Sequence, residues 1–296
     1  SQGAIILSRN GKFLYVVNAN SNDITAFSVQ PGAQLSFIGK YSSGGLFPNS
    51  LALNGTLMYV INHDSDQITA FRVSSATGAL KPLVGSTRNL STVGGGGAQV
   101  SFNRTGTLLI VTERLASKID TFTVDASGKA TDPQVFASSG ERPLGFEFDD
   151  NNHLIVSEVR PSAESSYGVS RTGKLRVITG TLIDFGLAAC WVANTHDPSF
   201  PTQYSYTTNT QSDTVSGYAI AADGSLSLLN PSDGITAQLA AGAFPLDEVI
   251  SSDDYLYVLE GHFAGVGVFQ IGSDGSLSEV QTTTGLPHSS FGMTGN

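Results

Sequence analysis

The chain has 296 residues, with 15 Lys and Arg against 25 Asp and Glu and a formal net charge of −10. That balance argues against a nucleic-acid surface, which needs clustered cations, and no run of 18 apolar residues is present to form a membrane-spanning helix. With 40% hydrophobic and only 14% charged residues and 33 glycines, the composition suits a turn-rich β protein of one domain over residues 1–296.

The first predicted strands are Ala4–Ser8, Leu14–Asn18, Ile24–Val29 and Leu35–Lys40, each short and rich in Val, Ile, Tyr, Phe or Thr. The phrase LYVVNANSNDITAFSV at 14–29 then returns as MYVINHDSDQITAFRV at 58–73. Further copies are LLIVTERLASKIDTFTV at 108–124, YSYTTNTQSDTVSGYAI at 204–220 and YLYVLEGHFAGVGVFQI at 255–271. A weaker copy with a longer middle covers 154–170. The aromatics Phe27, Phe71, Phe122, Tyr167, Tyr218 and Phe269 mark a period of roughly 44 to 51 residues. A turn glycine follows each copy, at Gly32, Gly78, Gly128, Gly173, Gly224 and Gly275, before a further apolar run. Before each copy lies another short run, such as AIILS, SLALN or QVSF.

No segment sustains a 3.6-residue apolar period, so no substantial helix is expected. A four-strand unit repeating every 40 to 50 residues predicts an all-β fold, a β-propeller of four-stranded blades. Six repeats are complete. The tail LPHSSFGMTGN reads as the inner strand of a seventh. A seven-bladed parent ring is the favoured expectation, its seventh blade completed by missing N-terminal strands or by a second chain, because an open blade edge exposes unpaired backbone groups. A six-bladed ring is the alternative.

The phrases SRNGKFLYVVNANSNDITAFSV, SFNRTGTLLIVTERLASKIDTFTVD, AACWVANT and AADGSLSLL resemble the β-propeller lactonase family, the 6-phosphogluconolactonase and carboxymuconate cycloisomerase group. The resemblance covers nearly the whole chain. It implies a seven-bladed ring and hydrolysis of a small lactone at one mouth of the central channel. The family's Asp-Leu-Gly, Gly-Pro-Arg-His and Asn-Arg-Gly-His turns are not present here, and the chain resembles members lacking those enzyme motifs.

Site candidates therefore come from where the copies differ. Loops entering the first strand of each repeat carry Asn49, Gln99, Pro143, Asp247 and His288. Those joining strands two and three carry Asn18, Asn20, His63, Asp64, Glu113, Arg114, Glu158, Arg160, Asn209, Glu260 and His262. At the end of strand two, Asn18, Asn62 and Asn209 alternate with Glu113, Glu158 and Glu260. Convergent acids suit a general base acting on water or a hard cation such as calcium, although no cofactor is expected. The expected catalytic set is Glu158 or Glu260 as base, Arg160 holding an oxyanion or carboxylate, and His288 shuttling a proton. Ligand contacts are expected from Asn49, Gln99, Glu113, Arg114, Asp247 and His262. In the bland reading, the strand-end Asn and Glu fix the neighbouring loop. The alternative function is a non-catalytic secreted binding scaffold.

Cys190 is single, which excludes an intrachain disulfide, and reads as a buried structural thiol. Sequons at Asn54, Asn89 and Asn103, in predicted turns, point to a secreted glycoprotein. VGGGGAQ at 93–99 lacks the Lys and helix of a phosphate loop. There is no Gly-x-Ser-x-Gly elbow.

Overall fold

A computed structural model describes residues 2–288 and 290–295. The repeats fold as six antiparallel meanders in which the four main strands follow chain order. Blade 1 consists of Ile5–Leu7, Phe13–Asn18, Asp23–Gln30 and Gln34–Ser42. The inner strands of blades 2 to 6 are Pro48–Asn54, Gly97–Phe102, Glu141–Phe148, Ala189–Asn194 and Pro245–Ile250. Their second strands are Leu57–Asn62, Leu108–Glu113, His153–Arg160, Gln203–Asn209 and Tyr255–Glu260. In blades 2 and 5 the outer edge is made of two short pieces pairing with one third strand. The only helical segments among the described residues are two 3₁₀ turns, Pro31–Ala33 and His63–Ser65.

Two compact units result. Residues 2–137 with 171–174 hold blades 1 to 3, and residues 138–170 with 175–295 hold blades 4 to 6. In the first unit, Tyr59, Ile61, Leu109, Val111 and Phe122 form one core layer, and Phe13, Tyr15, Ile24, Met58 and Phe71 another. In the second, Tyr204, Tyr206, Val215, Leu256, Val258 and Phe269 pack together, as do Ile155, Val192, Tyr218 and Ile220. All six residues of Leu57–Asn62 are buried. A middle strand covered on both faces has no solvent side, which is why these strands read as continuous apolar runs rather than alternating ones.

In four of the blades a hydroxyl reaches the turn glycine of the next. Tyr15 donates its hydroxyl to the Gly78 carbonyl (3.0 Å), Tyr59 to Gly128 (2.8 Å) and Tyr206 to Gly275 (2.8 Å). Thr121 serves Gly173 in the same way (2.8 Å). The turn glycines that revealed the repeat sit at φ of 73° to 84° here, the left-handed region only glycine enters cheaply. Their carbonyls are thereby turned towards the preceding blade.

Two details differ from the expected pattern. The blade 4 hairpin has a short middle rather than a long one, with Glu158 paired to Ala163 and the extra residues absorbed by longer strands. The described residues after Thr284 form no strand. The tail's polar groups go elsewhere, with the Met293 N–H on the Asp247 carboxylate and Ser290 N–H on the Pro287 carbonyl. Ser289 and Asn296, the other tail residues, lie outside the described residues.

Candidate functional site

Five of the six equivalent Asn and Glu residues at or near the end of a second strand hold a loop or turn. Asn18 donates to Asp23 (2.6 Å) and Thr25 (2.7 Å), Asn62 to the Ser43 carbonyl (3.3 Å) and Thr69 (3.1 Å). Asn209 donates to Thr214 (3.2 Å) and Ser216 (2.8 Å), and accepts from the Ser162 hydroxyl (3.1 Å). Glu113, fully buried, accepts from the Ser91 N–H (3.0 Å) and hydroxyl (2.5 Å). The same N–H reaches Asp120 (2.8 Å), which burial and the adjacent Glu113 push up to about 7. Glu158, also fully buried, accepts from the Gly140 N–H (2.6 Å) and Ser138 hydroxyl (3.0 Å). Burial raises its pKa, opposed by these hydrogen bonds. A Cβ at Gly95 would come within 1.9 Å of Glu113, and one at Gly140 within 2.0 Å of Glu158. The loop and the acid are fitted to each other.

Glu260 is the exception. It is 4% exposed, yet no described residue is hydrogen-bonded to its carboxylate. Burial and the charges of Glu279 and Asp213 raise its pKa. Its loop is held from elsewhere. Asp213 accepts from the Gly242 N–H (2.7 Å) and the Phe244 N–H (2.8 Å). Glu260 does not perform the anchoring task that Glu113 and Glu158 perform.

Beside it, Phe244 precedes Pro245, the cross-strand partner of Glu260. Phe244 has φ 53°, and its carbonyl accepts from the Gly261 N–H (3.2 Å). The equivalent residues Phe47, Gly96, Arg142 and Ala188 also have positive φ, so this conformation belongs to the loop entering each inner strand of blades 2 to 6. The Phe244 ring stacks on His262 with centroids 4.3 Å apart and planes 7° from parallel. The same arrangement recurs in blade 2. There Phe47, at φ 54°, has its N–H on Asn22 (2.7 Å) and its ring tilted against His63 (5.9 Å, 57°). The two histidines differ. His63 engages the Gly97 carbonyl through Nδ1 (2.9 Å), whereas the exposed His262 imidazole makes no hydrogen bond with a described residue. An acid with a raised pKa, an unengaged imidazole and an aromatic face therefore lie at the same end of blade 6, on residues 244, 260 and 262.

The remaining expected residues do not join this group. Arg160 is exposed beyond Glu158 on blade 4, and His288 is exposed in the tail. Asn49 donates to the Gly97 carbonyl (2.8 Å), and Gln99 is buried with its N–H on Thr112 (3.2 Å). Arg114 is half-buried, with its N–H on the Gly96 carbonyl (3.0 Å). Asp247 is buried and pushed up to about 7 by that burial, against the opposing hydrogen bond from Met293 (2.7 Å). Cys190 is buried, as a structural thiol would be. Asn54 and Asn89 are exposed. Asn103 is 5% exposed, its side-chain oxygen capping the Thr107 and Leu108 N–H groups (3.0 Å each). A glycan there would have to break that turn.

Sequence reasoning missed Asp213 and Phe244, whose only signal was their place beside two expected residues. It also missed a clasp in which His196 bridges Glu147 (3.1 Å) and Asp150 (3.0 Å). Burial lowers the His196 pKa, but the two carboxylates outweigh it and the net shift is upward. Buried Glu164 is pushed up to about 8, chiefly by burial, and Glu248 well above the usual carboxylate range by burial and neighbouring acids. Among the described residues no group of three or more His, Cys, Asp or Glu could hold a metal ion, and no helix is long and apolar enough to cross a membrane.

The family described as lactonase, 7-bladed beta-propeller, matches residues 1–94. No curated protein matches in sequence. A crystal structure of a protein from Lactobacillus plantarum is similar at 18% identity and TM-score 0.81, covering 96% of this chain and 85% of that one. The periplasmic gluconolactonase of Pseudomonas aeruginosa is similar at 16% identity and TM-score 0.74, covering 94% and 84%. A 6-phosphogluconolactonase candidate from Bacteroides uniformis follows at 18% and 0.78, covering 95% and 84%. These likenesses establish the β-propeller fold, and with the family match they bear out the lactonase-like resemblance read from the repeats.

Proposed function

We propose that the chain hydrolyses a small lactone, with Glu260 as general base in blade 6. The observation that carries this reading is that Glu260 alone among the strand-ending acids anchors no loop. Likeness to a gluconolactonase supports it over a passive scaffold. In the proposed step Glu260 takes a proton from water as the water oxygen attacks the lactone carbonyl. The tetrahedral intermediate then expels the ring oxygen, which recovers the proton from Glu260 and leaves an open hydroxy acid. A raised pKa makes this carboxylate a stronger base than an ordinary glutamate. Ring esters of this kind are already reactive, so a positioned base and an oriented ring suffice without a covalent intermediate. Glu158 is assigned to anchoring, because its carboxylate already holds Ser138 and Gly140.

The test is turnover of a lactone panel by the parent chain, Glu260→Gln and Glu158→Gln. Full activity in Glu260→Gln would sink the assignment of the base, and no turnover of any lactone by the parent would sink the reaction. An extracellular, glycosylated setting is part of the proposal, supported by the exposed Asn54 and Asn89. A natively expressed chain whose mass is unchanged by glycan removal would count against the glycans.

A further inference from the structure

All 15 Lys and Arg residues lie between Arg9 and Arg176. Residues 177–296 contain none, against twelve Asp and Glu. Within the second unit the only Lys or Arg residues are Arg142, Arg160 and Arg176, all in blade 4. Blades 5 and 6 have no fixed cation; the charges acting on Glu260 are those of Glu279 and Asp213, and the Phe244–His262 stack adjoins Pro245, its cross-strand partner. A phosphate group needs Arg, Lys or a row of N–H donors to replace its hydration. Here the charges are the carboxylates of Glu260, Asp213 and Glu279, and Phe263, which follows His262, is 39% exposed. A neutral polyol ring meets suitable partners. Its hydroxyls can bond the unengaged His262 nitrogens, and its C–H face can lie on Phe263 or on the outer face of the stacked imidazole.

We propose that the blade 6 site selects an uncharged polyhydroxylated lactone and rejects phosphorylated or carboxylated ones, with His262 as the group that holds the ring. This rests on the hydrolase reading above. His262 is fixed for this role by its stack on Phe244, and Phe244 by Asp213. The copy in blade 2 is not equivalent, because His63 is already bonded to Gly97.

The experiment compares glucono-1,5-lactone with its 6-phosphate at low ionic strength, and the matching unreactive lactams in calorimetric binding. Expected is a kcat/KM at least about tenfold higher for the neutral lactone, with the gap shrinking as salt screens the acids. Glu279→Lys should narrow the gap, and His262→Ala should weaken neutral-lactam binding roughly tenfold. Equal or better use of the phosphorylated lactone overturns the proposal. If neither lactone turns over but the neutral lactam still binds more tightly, the hydrolase reading falls and the selectivity stands. If neither lactam binds, both fall.

Discussion

Glu113 and Glu158 on one side, and Glu260 on the other, occupy one position of three repeats and do different work. The first two are sealed against a glycine that leaves no room for a Cβ, and each is held by donors from its own loop. The third is nearly as buried, but the incoming loop is held by Asp213 instead. Asp66 holds the loop entering blade 3 in the same way, yet Glu113 keeps its Ser91 donors; what leaves Glu260 free is that its incoming loop offers no such donor. In a repeat protein the residue type at a position does not define its role; what the adjoining loop demands of it does.

The sharpest way to break this contrast is to exchange the consequences. Glu260→Gln should lower kcat/KM by about 10²–10⁴-fold, the usual loss of a general base, while its thermal midpoint stays near the parent's. Glu158→Ala should do the reverse, costing about 2–3 kcal/mol of stability in denaturant titration because buried donors lose their acceptor. Comparable losses of activity in both variants would erase the distinction. Gly140→Ala should destabilise by about 1–3 kcal/mol through overpacking against Glu158, whereas Ala241→Gly, in the loop beside Glu260, should cost far less.

A pH series sharpens the comparison further. Because burial and the neighbouring acids raise the Glu260 pKa, kcat/KM should climb through a titration above the ordinary glutamate range, and Glu260→Gln should abolish that limb. The stability sign is opposite. A carboxyl raised in the folded state contributes most below its unfolded pKa, and that contribution fades as pH rises through the folded value. The smallest expected effect belongs to His196, also raised but part-exposed and solvent-screened. Its contribution is present below the unfolded histidine pKa and fades as pH climbs past the folded one. His196→Asn should flatten that slope of the thermal midpoint, and an unchanged slope would remove the clasp from the account.

The strands were legible because the repeat printed them several times over, and the turn glycines were legible because only one residue type fits their φ. The strand-end position was legible too, since Asn and Glu alternate there. What could not be read was which acid is engaged. Ser91 lies 22 residues from Glu113, and nothing local distinguishes it from any other loop serine. Asp213, Asp66 and Asn22 occupy one turn position and each holds the loop entering the next blade, so that position does not tell a free strand-end acid from an engaged one. The His196 clasp joins residues 46 and 49 apart, a separation set by blade packing rather than by any motif.

The tyrosine hydroxyls that reach forward to Gly78, Gly128 and Gly275 make the sheets of blades 1, 2 and 5 read the position of the next one along the chain. Coupling of this kind is strictly between nearest neighbours, so stability within a run of blades grows by increments, one junction at a time. Damage to a turn glycine should therefore loosen its own blade and the one before it, leaving blades farther along untouched. The same grammar allows a whole blade to be duplicated without rewriting the others, because the reaching hydroxyl and the receiving turn carbonyl lie at fixed positions of the repeat in blades 1, 2 and 5 and in their followers.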